Sequence, residues 1–376
     1  MPSPAKKLIL IAAAFTLSFV FSAAHAQEST APKLAEQQYK NIKTLKGLPA
    51  DQIIPAMQFI TASLGVDCEY CHVREGQHML FDKDDKKPKL AARKMIDMVN
   101  AINKDSFESK REVTCNTCHH GAAHPVGIPV ISDEEPKPAS AEHSVIDAQA
   151  SQPDAYALLD KYLAASGGAP AIQKITTRVA KGSLTGFGGQ KISIDVYGKA
   201  PDKRVSVMHT PNGDNVTAFD GHSGWLTVPG RPPHIMNADE NAAAALDADL
   251  YLPVHVKTLR QKFVAGPGEI IDGHDTIQVV GRTDGQTPLR LYLDAQSNLL
   301  LRLVRYQETP LGRIPTQVDY SDYRDADGVR VPYKWSIARP GNRFTIQIDQ
   351  LQQNVPVDDA KFAPPPPTPA DQKTSH

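Results

Sequence analysis

The sequence predicts two domains: a mostly α domain, followed by an α+β domain built on a large antiparallel sheet with helix covering. Three observations predict this. The pattern C-x-x-C-H occurs twice, as Cys68-Glu69-Tyr70-Cys71-His72 and as Cys115-Asn116-Thr117-Cys118-His119, and takes up all 4 cysteines of the chain. Apolar residues recur at helical spacing ahead of each motif. From Val179 onward the chain alternates apolar and polar residues, with Asn-Gly and Asp-Gly pairs between the runs.

C-x-x-C-H is the attachment signature of c-type haem. Two thiols three residues apart can each form a thioether to one vinyl edge of the porphyrin. The histidine directly after the second thiol then stands over the ring face as the proximal ligand of iron. On this reading Cys68, Cys71, Cys115 and Cys118 anchor two covalently attached haems, and His72 and His119 ligate their irons. Zinc explains the pattern less well. Cys₄ zinc sites space their pairs by about fifteen to twenty residues; the gap here is far longer, and zinc needs no histidine after each pair. Two disulfides would close very short rings and staple little. A thioredoxin-like redox motif needs a βαβ context that the neighbourhood lacks.

Residues 1–26 read as an export signal. Lys6 and Lys7 form a positive start, Leu8 to Phe21 is an uncharged apolar run, and Ala24-His25-Ala26 is a cleavage site. The run is shorter than the ~20 residues a membrane span needs, so cleavage after Ala26 is expected. No later segment is apolar enough to span, no cysteine follows the cleavage site to carry a lipid, and membrane association is left open. Export suits c-type haem, which is attached outside the cytoplasmic membrane. In a bacterium the mature protein is then periplasmic. A formal net charge of -1 gives no reason to expect nucleic acid as a partner.

The haem domain is expected over residues 27–130. Ala31 to Lys46 reads as a lead-in. Ile53, Ile54, Met57, Ile60 and Leu64 fall on one helical face, Pro55 lies in the tolerant first turns, and Gly65 suits a C-terminal stop. A second helix is expected over about Lys89 to Lys104, with Ala91, Met95, Met98, Val99 and Ile102 on one face. Each motif thus follows a helix that bears an inward methionine. A c-type haem has a sixth iron position to fill, and a thioether there raises the reduction potential. Met57 is the candidate for the first haem and Met95 for the second. Met98 lies one turn from Met95 and remains an alternative, as do His78, His120 and His124. A methionine on an apolar stripe is otherwise ordinary core packing.

Residues 131–152, with Asp133-Glu134-Glu135-Pro136-Lys137-Pro138, read as an exposed linker. The second domain is expected over residues 153–362. Ala155 to Ala165 carries Leu158, Leu159, Tyr162 and Leu163 as an amphipathic helix that Ser166-Gly167-Gly168 ends. Strands are expected over 179–184, 192–197, 204–208, 289–293, 301–305 and 344–348. Asn212-Gly213, Asp272-Gly273, Asp284-Gly285 and Asp327-Gly328 mark turns. One helix interrupts them, from Ala242 to about Arg260. The tail, residues 363–376, opens on a proline run and reads as extended and disordered. No catalytic constellation appears in this domain. His209, His222, His234, His255 and His274 are scattered singly.

Two resemblances add to this reading. Leu64-Gly65-Val66, Cys68 to His72, Ala92-Arg93-Lys94-Met95, Ile102-Asn103 and Val113-Thr114-Cys115 to His119 with Gly121 resemble the cytochrome c subunit of photosynthetic reaction centres. In that family each unit is a helix with an axial methionine, a turn and then C-x-x-C-H. The resemblance implies haem-to-haem electron transfer, redox protein partners, and Met57 and Met95 as sixth ligands. The family carries more motifs than the two found here, and His120 stands where it usually has arginine. Asp220-Gly221-His222-Ser223-Gly224-Trp225, Leu291-Tyr292-Leu293-Asp294, and Asp327 to Pro332 with Trp335 resemble the periplasmic lipoprotein-carrier fold, LolA-like. That fold is a strongly curved sheet, a half-barrel with helices over one face, and it implies a cavity for an apolar ligand. A sheet filled by its own side chains is the competing expectation. The chain is therefore read as a periplasmic dihaem c-type cytochrome that carries electrons and is not an enzyme. A lipid- or lipoprotein-binding carrier with a haem module is the alternative, and a haem peroxidase would need one open iron position.

Overall fold

The computed structural model describes residues 33–125, 153–186, 189–340 and 342–365. The expected export signal, the linker over 131–152 and the tail beyond residue 365 lie outside them.

A short helix α1 (Ala35–Gln38) and a 3-10 turn at Ala50–Gln52 lead into α2 (Ile53–Leu64). Helix α2 stops at Gly65, whose φ of 63° is left-handed and whose N–H bonds back to the Thr61 carbonyl. A Cβ on Gly65 would lie 2.1 Å from the Gly121 carbonyl oxygen, so two stretches of backbone meet here directly. The buried face holds Ile53, Ala56, Phe59, Ile60 and Ser63, while Ile54 is 52% exposed. Phe59, absent from the expected stripe, is thus a core residue, because α2 is packed from more than one side.

One-turn helix α3 (Cys68–Cys71) is N-capped by Asp67, whose carboxylate accepts from the Tyr70 N–H at 3.0 Å. A small hairpin of β1 (Val73–Glu75) and β2 (His78–Leu80) follows. Helix α4 (Lys87–Ser106) carries Pro88 in its first turn and begins and ends slightly outside the expected span. Helix α5 (Cys115–His119) ends on His120 at φ 47°. The region is less helical than expected, since the hairpin and long loops separate α2, α4 and the two short motif helices.

The second region starts with α6 (Ala155–Ala165), capped by Asp154 on the Tyr156 N–H at 3.0 Å, and α7 (Gly168–Ile172). Six strands follow: β3 (Thr177–Thr185), β4 (Lys191–Lys199), β5 (Lys203–Thr210), β6 (Gly213–Phe219), β7 (Gly224–Thr227) and β8 (His234–Ile235). Helices α8 (Ala238–Ala248) and α9 (Leu252–His255) interrupt them. Then come β9 (Lys262–Gly266), β10 (Ile270–Ile271), β11 (His274–Arg282), β12 (Leu289–Asp294), β13 (Leu300–Thr309), β14 (Gly312–Ala326), β15 (Val329–Arg339) and β16 (Asn342–Gln353).

These strands form one 14-stranded sheet in the order β10 to β16, then β3 to β8, with β9 on β11. The last strand pairs antiparallel with the first, β16 on β3. Each expected strand lies within β3, β4, β5, β12, β13 or β16. Asp272-Gly273 and Asp327-Gly328 are left-handed at both residues, the geometry a two-residue hairpin needs. The single helix expected near 242–260 is two helices. Asn237 starts α8 early through a capping box with Glu240.

Leu158, Leu159 and Tyr162 of α6 pack on Leu289, Leu291, Leu293, Leu300 and Leu303. Each such buried leucine contributes ~1.5–3 kcal/mol, so α6 covers one end of the sheet. Between α2, α8 and the rest of the sheet lies a cleft of about 1400 Å³. Ile194, Met208, Phe344 and Ile346 form apolar parts of its wall, and Arg204, Arg305 and Arg339 polar parts.

The two regions share a core. Leu311 and Ile314, at the β13–β14 turn and the start of β14, are buried in one cluster with Leu45, Ile53, Ala56, Phe59, Ile60 and Ile96.

Candidate functional site

Each C-x-x-C-H folds as a helical turn. Cys68 and Cys71 open and close α3, and His72 follows as its C-cap. Cys115 and Cys118 sit in α5, with His119 as its last residue. All four thiols are free. Among the described residues no group of three or more His, Cys, Asp or Glu side chains converges on a metal-sized site, so the two cysteine pairs do not come together as one Cys₄ set.

At the first turn, the His72 ring meets Phe81 edge-on, with centroids 5.1 Å apart and planes at 71°. His72 Nδ1 is buried without a hydrogen-bond partner. A buried ring nitrogen left unsatisfied is a costly feature, and the Phe81 backbone is the hydrogen-bonding group beside this ring. Burial pushes His72 below the ordinary imidazole value, and the positive Lys89 adds to this. The ring is thereby held neutral, the form that ligates a metal. Burial also pushes the Cys71 thiol up.

Lys89 of α4 frames this turn. It is 8% exposed, and its Nζ donates to the carbonyls of Phe81 at 2.9 Å and Lys83 at 2.6 Å. Asp84 accepts from Arg93 Nη1, pairs with Lys89, and accepts from Asn41 Nδ2. Arg93 first, then Lys89 and Asn41, hold its carboxyl far below the ordinary range.

At the second turn, His119 Nδ1 lies 2.9 Å from the Ala122 carbonyl. A carbonyl only accepts, so Nδ1 carries the hydrogen and Nε2 keeps its lone pair. This is the orientation a proximal ligand requires. A small cavity beside it is lined by Cys115, Cys118, His119, Ile60, Leu64, Met95 and Met98, among others. Burial pushes the Cys115 thiol up. The approach to Cys115 is pinned by buried Asn103, which accepts from the N–H groups of Glu112 and Val113 and donates to the Val113 carbonyl at 2.7 Å.

The methionines are placed as follows. Met95 and Met98 both line the second cavity and are 41% and 43% exposed. Met57 is half-buried in the cluster that contains Ile60 and Cys115. Helix α2, which precedes the first motif, therefore packs on α5 of the second, and α3 of the first motif packs on α4, which precedes the second. The two units are interlocked. His78 lies in β2, and His120 and His124 follow α5. Sequence reasoning missed Phe81, Lys89 and Asp84. An acid just before α4 and a lysine in its lysine-rich first turn carry no signal that one of them is buried.

The family model for the photosynthetic reaction centre cytochrome C subunit matches residues 9–165. The N-terminal region is similar to that subunit. Over 100 residues it is 35% identical to the photosynthetic reaction center cytochrome c subunit of Thermochromatium tepidum, covering 26% of this chain and 24% of that protein. Over 95 residues it is 34% identical to cytochrome c-554 of Chloroflexus aurantiacus, covering 23% and 22%. The chain thus spans about a quarter of the length of these relatives. Among solved structures, a DUF1329 family protein from Desulfovibrio piger aligns over 56% of this chain and 98% of its own, with 14% identity and a TM-score of 0.42. A LolA superfamily protein from Nitrosomonas europaea aligns over 57% and 99%, with 13% identity and a TM-score of 0.37.

Proposed function

We propose that the chain is a periplasmic dihaem c-type cytochrome that carries electrons between redox proteins. The observation that carries this reading is the repeated turn: two thiols on one helical turn, followed at once by a histidine with a free or freeable ring nitrogen. Cys68 and Cys71 hold one haem and Cys115 and Cys118 the other, each through two thioethers. His72 and His119 are the proximal ligands. Met57 and Met95 are the proposed sixth ligands, for the first and second haem in that order, with Met98 beside Met95. When bound, the haems supply one-electron chemistry. The chain holds them, keeps the His72 ring neutral, fixes the His119 tautomer through Ala122, and surrounds one centre with cations and the other with apolar side chains. The role is transfer and not bond chemistry on a substrate.

Export through the signal at residues 1–26 supports the location, because thioether attachment belongs outside the cytoplasm. The cleft of about 1400 Å³ favours a second reading for the sheet, an apolar ligand held against Ile194, Met208, Phe344 and Ile346. Hydrophobic ligand co-purifying with the protein would support it. The deciding experiment for the first reading is the haem count. Protein matured with haem-attachment machinery is expected to give two haems per chain by pyridine haemochrome, and one or none overturns the proposal.

A further inference from the structure

The β13–β14 turn belongs to the sheet by pairing and to the haem domain by packing. Leu311 and Ile314 are 5% and 6% exposed, against Phe59, Ile60 and Ile96. Ile60 and Ile96 in turn line the cavity that holds Cys115, Cys118, His119 and Met95. One layer of side chains therefore separates the turn from the second motif. No residue of the first motif, nor Phe81, belongs to this cluster; of the groups proposed for the first centre only Met57 packs against it.

The contact is close and stiff. A Cβ on Gly312 would lie 2.2 Å from the Phe59 ring, so the ring rests on bare backbone. Thr309 locks the turn: its Oγ1 accepts from the Leu311 and Gly312 N–H groups and donates to the Gly312 carbonyl at 2.7 Å, all buried. A second tether grips the loop that leads into α5. Arg111 donates to the Thr309 carbonyl and, at 3.1 Å, to Glu308. The turn thus fixes both α2, which forms one wall of the second cavity, and the loop that delivers Cys115.

We propose that the β13–β14 turn is a positioning element of the second haem centre, so that the sheet bears directly on that centre and reaches the first only through Met57. This rests on the reading that both motifs carry haem. Leu311, Gly312 and Ile314 act through Phe59, Ile60 and Ile96. Interior packing is dense enough for a displacement at one side of a layer to be felt at the other.

The test uses full-length chains that keep one haem, made by Cys→Ala at Cys68 and Cys71 or at Cys115 and Cys118. Gly312→Val is placed in each. The midpoint potential is expected to shift in the chain that keeps the second haem and to shift by less in the chain that keeps the first. Equal shifts in both, or no shift in either, overturns the proposal. Should Gly312→Val fail to accumulate as folded protein, the milder Ile314→Val asks the same question with the same two outcomes. The haem count of the unaltered chain separates the failures. Fewer than two haems removes the attachment reading, whereas two haems with an unmoved second potential removes only the positioning role.

Discussion

The two C-x-x-C-H turns share a sequence and differ in what surrounds them. The first is wrapped by its own neighbourhood, with Phe81 on the His72 ring and Lys89 tied to nearby carbonyls and to Asp84. The second is walled by α2 and α4 and backed by a sheet turn, tethered by an Arg111–Glu308 pair 197 residues apart in sequence. The pentapeptide fixes the anchor, while the environment comes from elsewhere. Positive charge near an iron favours its reduced state, and Lys89, Arg93 and Lys86 all act on His72. On the dihaem reading, the first centre would be tuned by charge. The second, against Ile60, Leu64, Ile96 and Val99, would be tuned by exclusion of water.

The largest expected effect tests which turn owns which helix. Met57 precedes the first motif in sequence but clusters with Cys115 of the second. Met57→Ala, made in the one-haem chains, is expected to abolish the thioether-to-ferric-iron absorption band in the chain that keeps Cys68 and Cys71, as the order of helix and motif implies. Loss from the other chain would reassign α2 to the second centre and break the comparison as drawn.

A smaller effect, on stability, tests the backing. Leu311→Ala is expected to destabilise the protein by about 2–5 kcal/mol, the usual cost of emptying a well-packed leucine site. Trp225 and Trp335 both lie in the sheet, in β7 and β15, so their fluorescence reports that region while haem absorption reports the other. Both signals are expected to unfold together at lower denaturant. A haem signal that stays put while fluorescence shifts would show that the shared core does not bind the regions into one unit.

This coupling is also where sequence reading stopped. Gly65 was legible as a helix stop because a left-handed residue leaves a local signature, and the alternation in β3, β4 and β12 was legible because its period is two residues. Asn103 could be noticed, but not its clamp on Glu112 and Val113. The Phe59–Gly312 contact has no local signature. Gly312 follows Leu311 in an ordinary turn, and Phe59 falls outside the stripe formed by Ile53, Met57 and Ile60. Strand β14 was missed for a related reason. Its second half, through Ser321, Asp322, Arg324 and Asp325, is polar enough to hide the pairing with β15 that holds it.

The smallest expected effect concerns the charged wrap of the first turn. Asp84 is held below its ordinary carboxyl value of 3.8 by Arg93, Lys89 and Asn41. A carboxyl whose folded pKa is depressed contributes stability above its unfolded value and loses it as pH falls through the folded one. The contribution is thus complete above about pH 4 and fades with increasing acidity. Asp84→Asn removes the charge at every pH. The unfolding midpoint of the variant is expected to lie below that of the unaltered chain at pH 6, with the gap narrowing below pH 4. Because Asp84 anchors Lys89 and Arg93, the same substitution is expected to move the first haem's potential and leave the second's in place. A gap that persists unchanged into acid would mean that Asp84 acts there through packing and not charge, and a shift of the second potential would mean that the two turns are not tuned separately.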